Sequence, residues 1–292
     1  MSAVSGLPAV SARRRRTDRV MRGLLGAATC LALVPLILII YYLLHKGLGE
    51  WTSGGFFTTD PNGNFFGNPG GIRSAILGTL EIVGLASVIS IPIGIGVALY
   101  LTEYGRDSRF ANVIRYFVDV MTGVPSIMFG LFIYIVLVIS HTGGSGFAGW
   151  KGSIALSLLM LPIVIRSAEV VLLLVPSSLR EAALALGAPR WQVIRRVVLP
   201  TATPGLVTGS LLAIARGMGE TAPLLFTVSL VFGLTGNLNA QMNTLPIQIF
   251  NDITSPRNAV VNRAWGAGLT LVALVLIFNL IARAVARRSR MA

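Results

Sequence analysis

Two of the long apolar segments each contain a pair of charged residues of opposite sign at helical spacing. Arg166 and Glu169 are three residues apart in one segment, and Arg216 and Glu220 are four residues apart in another. At these spacings the two members of each pair share one face of a helix. A charge at the centre of a bilayer costs about 2.5 to 3.5 kcal/mol on insertion scales, so such residues tend to face a bundle interior or a water-filled path.

The two arginines predict an anion site. Counted from the segment ends at Val175 and Leu206, Arg166 and Arg216 lie at similar depths, roughly 14 and 15 Å at 1.5 Å per residue. A guanidinium offers paired, charge-assisted hydrogen bonds to an oxyanion. The alternative is that the four charges only form structural salt bridges between helices.

The chain contains few residues that could support catalysis. His45 and His141 are its two histidines, which excludes a histidine triad and an H-E-x-x-H zinc site. Neither Lys46 nor Lys151 follows a glycine, so the phosphate loop of P-loop NTPases is missing. Cys30 is the single cysteine, which excludes an intrachain disulfide. The sequence therefore predicts no catalytic residue and no metal site.

The composition places these residues in a membrane protein. Apolar residues make up 54% of the chain and charged residues 12%, with a mean hydropathy of +0.76, which excludes a water-soluble globule. Stretches of about 20 apolar residues span a bilayer as helices. We predict an all-α polytopic protein with six transmembrane helices over 24–44, 74–101, 113–139, 153–175, 206–232 and 265–286. The prolines within these stretches are interpreted as packing features: Pro92, Pro125, Pro162 and Pro223.

The distribution of basic residues predicts the orientation. With the N-terminus inside, seventeen arginines fall in inner segments and five basic residues in outer ones, which by the positive-inside rule places both termini in the cytoplasm. The net charge of +13 therefore reflects topology and indicates no nucleic-acid partner. The first helix is expected to be a retained anchor. The predicted organisation is a basic arm over 1–23, a first helix over 24–44, an external loop over 45–73, a core over 74–286 and a cytoplasmic tail over 287–292.

The predicted inner loop over 176–205 is expected to form two short helices. Ser177 or Ser178 can cap the first helix with Glu181 as the capping-box partner, and Gly187 can end it. Pro189 suits the first turn of the second helix.

One face of that second helix is apolar. Trp191, Ile194 and Val198 lie along this face, and a short helix of this kind is suited to a groove on a partner protein. The alternative is an ordinary amphipathic hairpin on the membrane surface.

The same loop resembles the EAA loop of ABC importer permeases, E-A-A-x3-G-x9-I-x-L-P, with Val197 in place of isoleucine. The resemblance implies a MetI-like helical permease whose loop docks into a groove of a separate ATPase subunit. It assigns ATPase coupling to Glu181, Ala182, Ala183, Gly187, Trp191, Leu199 and Pro200.

Three further stretches indicate the substrate. The sequence from Arg216 to Leu224 is similar to the R-x-x-G-E-T-A-P-L stretch of phosphate ABC permeases, in particular the PstA-type subunits, and 123–127 and 245–250 also resemble that family. The resemblance implies import of inorganic phosphate through a pathway of which this chain forms half. The pathway residues it implies are Arg166, Glu169, Arg216, Glu220 and Thr221.

The resemblance also implies partners. These are a PstC-type permease, two copies of a PstB-type ATPase that holds the ATP and Mg²⁺, and an external PstS-type phosphate-binding protein. This chain itself would bind no cofactor and would lie in the lipid of a bacterial plasma membrane. Two alternatives stay open: a permease for another oxyanion, or an ion-coupled secondary transporter, which would usually show a repeat among its helices.

Overall fold

The computed structural model describes residues 12–63, 67–106, 108–141 and 146–288, which are mostly helical. Residues 1–11 of the predicted arm and 289–292 of the predicted tail lie outside the described residues. The helices are α1 (Ala12–Trp51), α2 (Arg73–Leu99), α3 (Arg109–Gly123), α4 (Ser126–Ile133), α5 (Gly149–Leu173), α6 (Ser177–Ala185), α7 (Arg190–Val193), α8 (Leu199–Gly219), α9 (Ala222–Leu225), α10 (Leu245–Ile253) and α11 (Asn258–Arg288). Segments of π-helix extend α2 over Tyr100–Tyr104, extend α4 over Tyr134–Ile139 and join α7 to α8 over Ile194–Val198.

Helix α5 is the centre of the bundle and packs against α2 and α8. Leu156 and Met160 of α5 form a buried core with Ile82 of α2 and Ala213 of α8. Membrane helices pack closely where small residues let their backbones approach. The long helices α1 and α11 pack against each other at one side of this core.

The all-helical membrane architecture is confirmed. Within the described residues, five helices are long and apolar enough to cross a membrane, and a bent pair formed by α3 and α4 supplies a sixth crossing if the two count as one. Helix α1 runs from Ala12 to Trp51 and so exceeds the predicted first span at both ends. Most of its apolar residues are exposed, which suits contact with lipid or with a second membrane protein.

The third span is not the single helix predicted over 113–139. Its two halves, Arg109–Gly123 and Ser126–Ile139, meet at an angle of 102°. Val124 has extended backbone angles (φ −73°, ψ 129°) and Pro125 follows it. Proline disfavours helical angles in the preceding residue and donates no backbone hydrogen bond. The interpretation of Pro125 as a packing feature is therefore wrong, whereas Pro92 and Pro162 lie within helices.

The fifth span also differs from the prediction over 206–232. Helix α8 ends at Gly219, and Glu220 has extended angles (φ −80°, ψ 125°) before the short helix α9. At its other end α8 continues without a break from α7 through the π-helical segment. The predicted second short helix of the loop is therefore the first part of this long helix. Pro200, which has no backbone N–H to donate, lies in the first turn of α8, two residues after the π-helical segment.

Candidate transport pathway and coupling surface

The loop between α5 and α8 forms a hairpin whose first arm is α6. We call residues 176–200 the hairpin and the end of the bundle that carries it the hairpin end. Gly187 has φ +80°, a left-handed conformation that favours glycine. Its N–H donates to the carbonyl of Leu184 at 2.9 Å, and the Ala188 N–H donates to Ala183 at 3.2 Å. This is a Schellman motif, so the prediction that Gly187 ends the helix is confirmed.

The predicted cap of α6 does not form. Pro176 occupies the N-cap position with no side-chain hydrogen bond, so neither serine makes a capping box with Glu181. Pro176 has extended backbone angles (φ −58°, ψ 137°) that set the start of the helix. The hairpin therefore bends away from α5 at a proline rather than at a side-chain cap.

The apolar face of the second arm is divided between two environments. Ile194 and Val198 are buried and pack toward the bundle, whereas the Trp191 side chain is 55% exposed. Of the residues assigned to coupling, Glu181, Ala182, Gly187 and Pro200 are exposed, and Ala183 and Leu199 are partly buried. Leu186 at the tip is 89% exposed. Leu184, Leu186 and Trp191 therefore leave an apolar surface near the tip for a partner.

A cavity of about 470 Å³ lies at the break between α3 and α4. Thr122, Val124 and Ser126 line it from the break, Pro162 from α5 and Arg216 from α8. The first turn of α4 leaves backbone N–H groups without helical acceptors. A guanidinium and the start of a helix both favour an anion, so this cavity has the chemistry to hold an oxyanion.

Arg216 reaches this cavity from the last turn of α8. Its Nη2 lies 2.9 Å from Oε1 of Glu220, and the side chain of Arg216 is 59% exposed while that of Glu220 is 12% exposed. Glu220 and Thr221 follow the end of α8 rather than lying within a helical span. Cations are favoured in the last turn of a helix. The pairing predicted from the spacing of Arg216 and Glu220 is present. Its carboxylate, Glu220, lies in the break between α8 and α9.

Arg166 lies in a different environment, a four-membered charge cluster. Its guanidinium contacts Glu169 at 2.8 Å and also pairs with Asp119. Arg115 reaches the other oxygen of Glu169 at 2.8 Å and donates to the Leu101 carbonyl at 2.9 Å. The cluster balances two positive with two negative charges and ties α3 to α5 and to the end of α2.

Arg166 and Arg216 do not line the same cavity in the structure. Arg166 borders a separate cavity of about 770 Å³ between α5, α8 and α11, and Leu212 lines both cavities. Their assignment to the pathway stays a prediction. Among the described residues no group of three or more His, Cys, Asp or Glu side chains could hold a metal ion.

Sequence reasoning missed Arg115 and Asp119 as members of the charge cluster. Arg115 is one of the seventeen arginines assigned to inner segments, although it shares an (i, i+4) spacing with Asp119 that matches the spacing of Arg216 and Glu220. That spacing inside an apolar stretch was the available signal. It did not indicate that both residues pair with α5.

The sequence matches known permeases over most of its length. The family model described as "binding-protein-dependent transport system inner membrane component" matches residues 90–291. The phosphate transport system permease protein PstA of Haemophilus influenzae is 40% identical over 272 residues, which is 92% of this chain and 94% of the relative. The same-named protein of Yersinia pestis is 42% identical over 93% of this chain and 90% of its own. PstA 1 of Mycobacterium tuberculosis is 39% identical over 95% and 92%, respectively.

Solved structures share the fold. The MetNI methionine ABC transporter in an inward-facing conformation gives a TM-score of 0.60 at 20% identity, covering 75% of this chain and 95% of that chain. A bacterial alginate ABC transporter in complex with an alginate-bound periplasmic protein gives a TM-score of 0.64 at 15% identity, covering 94% and 96%. At these identities the likeness supports the MetI-like arrangement of helices, not a substrate.

Proposed function

The chain belongs to the family of binding-protein-dependent transport system inner membrane components, and we propose that it is the permease subunit of an ATP-driven importer of inorganic phosphate. The similarity to phosphate permeases over 92% of the chain carries this proposal. A match of that length includes both the hairpin and the cavity at the α3–α4 break. The chain forms half of the translocation pathway, and a second permease forms the other half.

The charge of phosphate determines what the pathway must provide. Phosphate carries one to two negative charges near neutral pH, so a path without positive charge would present a large desolvation barrier. Arg216 supplies a planar donor fork at the cavity and pairs with Glu220, which Thr221 follows in sequence. Because the ion pair with Glu220 leaves more than half of the Arg216 side chain exposed, its remaining donors are free to bind an oxyanion.

Arg166 and Glu169 are proposed to line the same pathway nearer the hairpin end. Their cluster with Arg115 and Asp119 is neutral, so it offers phosphate less net attraction than Arg216 does. Asp119 is its most exposed member, with 63% of its side chain accessible. An arriving phosphate would compete with this carboxylate for the Arg166 guanidinium.

The proposed partners are those that the resemblance to phosphate ABC permeases implies. We assign the hairpin to a docking groove of a PstB-type ATPase, present in two copies, which holds the ATP and Mg²⁺; this chain binds neither. The exposed Trp191 and Leu186 at the hairpin tip support such a docking surface. A PstC-type permease completes the membrane pathway, and a PstS-type protein delivers phosphate from outside. The proposed location is the bacterial plasma membrane with both termini in the cytoplasm, as the excess of arginines in the predicted inner segments supports.

Competition for uptake tests the substrate. The complex of this chain with its permease, ATPase and binding-protein partners is reconstituted in lipid vesicles, and ATP-driven uptake of labelled phosphate is measured with sulfate or arsenate as competitor. We expect unlabelled phosphate to compete fully, arsenate to compete because its geometry and charge resemble those of phosphate, and sulfate to compete weakly. Uptake of labelled sulfate at the rate of phosphate would indicate a permease for another oxyanion.

A further inference from the structure

One side chain provides the polar attachment of α6 to the rest of the bundle. Helix α6 has no buried residue, and within the described part of the chain Arg180 is its one side chain that forms a hydrogen bond or ion pair with another element. The covalent link from α5 passes through Pro176, whose backbone is extended. That link alone does not fix the angle between α5 and α6.

Arg180 spans this joint with four hydrogen bonds. Its Nε and Nη2 donate to Oε1 of Glu103 at 3.1 and 2.9 Å. Its Nη1 donates to the Val175 carbonyl at 2.6 Å, and Nη2 also donates to the Leu172 carbonyl at 2.8 Å. The side chains of Arg180 and Glu103 are only 22% and 9% exposed.

The Arg180 side chain connects three elements of the structure. The last carbonyls of a helix lack intrahelical donors, and a cation there is favoured by the helix dipole. Arg180 supplies both needs at the end of α5, while Glu103, from the π-helical extension of α2, balances its charge. Planar donors in a fixed fork hold such a geometry better than a lysine ammonium does. The pair therefore joins α6, α5 and the end of α2 through one guanidinium.

We propose that Arg180 and Glu103 are a positioning pair that transmits displacement of the hairpin to α5 and α2. The inference rests on the proposed function, because the hairpin is displaced by nucleotide only if an ATPase docks on it. Helix α5 contributes Leu159 and Pro162 to the cavity that Arg216 also lines. A rigid joint at Arg180 lets a movement of α6 reach that cavity, whereas a loose joint would let α6 pivot at Pro176.

The first test measures coupling in the reconstituted complex. Glu103→Gln removes the charge and keeps the shape, and Arg180→Lys keeps the charge and loses the fork. Arg109→Gln is the matched control, because Arg109 is an exposed arginine at the same end of the bundle. We expect both pair variants to assemble and hydrolyse ATP, with phosphate imported per ATP reduced on the order of tenfold, within the range of measured coupling energies. The control should match the wild type.

A second measurement does not depend on the substrate. Spin labels are placed at Leu186 on the hairpin and Phe110 on α3, which are 89% and 63% exposed, in a Cys30→Ser background of the same complex. The wild type should give a narrow distance distribution and each pair variant a broader one. If the wild type hydrolyses ATP without importing phosphate, the proposed function fails while this distance measurement still tests the joint.

Three results would overturn the inference. The first is a normal ratio of phosphate to ATP in both variants. The second is an unchanged distance distribution between the two labels. The third is failure of the Glu103→Gln complex to assemble, since the pair would then serve folding and not transmission.

Discussion

At the scale of residues, the two intramembrane arginines differ in how fully their charge is balanced. Arg166 pairs with Glu169 and Asp119, and Arg115 also pairs with Glu169. Arg216 has Glu220 as its carboxylate and keeps 59% of its side chain exposed beside a cavity. Because a bidentate contact with phosphate requires free N–H donors, Arg216 is the better candidate for direct contact.

Neutralising Arg216 tests this contact. Arg216→Gln keeps some hydrogen bonding and removes the charge, so we expect normal assembly with phosphate uptake reduced about tenfold or more, since a charge-assisted hydrogen bond contributes about 1.5 to 3 kcal/mol. Arg216→Lys should recover uptake only partly, because lysine lacks the bidentate fork. Initial rates of labelled phosphate uptake are the measurement.

The double variant separates transport from structure. If Arg216 only balances Glu220, changing both residues to glutamine leaves no unpaired charge and should restore uptake. Full uptake by Arg216→Gln with Glu220→Gln would therefore contradict the pathway role. An assembled complex that imports poorly would support it.

The sequence predicted pairs that are close along the chain and missed the distant partners. Arg166 with Glu169 and Arg216 with Glu220 follow from helical spacing, and both ion pairs are present. Arg115 and Asp119 join the cluster across about fifty residues of sequence, through the packing of α3 on α5. Spacing along one helix carries no information on such a contact, so the cluster could not be derived from it.

At the scale of elements, proline positions alone did not predict where spans break. Pro92, Pro125 and Pro162 each restrict the backbone in the same way, yet only Pro125 lies at a 102° bend. Pro125 differs from the other two in its tertiary surroundings. Helix α4, which follows it, packs against α9, and Gly130 lies directly against the backbone of Pro223. A broken span is stable only if the redirected helix has a surface to pack against, and here that surface is formed by residues far away in sequence.

The contact between α4 and α9 gives a prediction about the broken spans. A Cβ on Gly130 would lie 2.6 Å from Cα of Pro223, so Gly130→Leu must separate the two helices. Overpacking of this kind costs about 1 to 3 kcal/mol. We expect lower thermal stability of the complex and weaker phosphate uptake, because α9 is joined to Glu220 and Thr221.

Gly96→Leu is the control for this change, since a Cβ there meets nothing within 4 Å. Thermal unfolding of the purified complex and uptake in vesicles are measured for both variants. Wild-type stability and uptake in Gly130→Leu would show that α4 and α9 need not pack as described.

The hairpin gives a second prediction at this scale. Gly187 has φ +80°, and the left-handed region costs an L-residue roughly 1 to 2 kcal/mol, more when it is β-branched. Gly187→Val should therefore disturb the exit from α6 and lower phosphate import per ATP, while the protein remains in the membrane. Ala185→Val adds the same side chain to an exposed helical position of α6 and should behave like the wild type. Normal coupling in Gly187→Val would argue against a role for this turn.

At the scale of the whole molecule, hydropathy predicted the membrane-spanning helices, and the distribution of basic residues predicts their orientation. Composition alone predicted an all-helical membrane protein, because lipid leaves no other way to satisfy the backbone. The course of the chain after Gly219, where helix gives way to α9 and irregular backbone, was not predictable, because Gly and Pro are common inside membrane helices as well as at their ends.

Orientation is tested by labelling single cysteines in a Cys30→Ser background. Asn62→Cys and Leu186→Cys are both at exposed positions and lie at opposite ends of the predicted topology. In intact cells a membrane-impermeant maleimide should modify the cysteine at 62 and should reach the one at 186 only after lysis. Modification of the cysteine at 186 from outside would reverse the predicted orientation.

The most direct measurement of the central claim is accumulation of labelled phosphate in vesicles that contain the full complex, with ATP supplied on the hairpin side. We predict accumulation that needs this chain, the external binding protein and an ATPase able to hydrolyse ATP, and that persists when ion gradients across the membrane are collapsed. Accumulation driven by an ion gradient without ATP, or undiminished with a hydrolysis-deficient ATPase, would contradict the account.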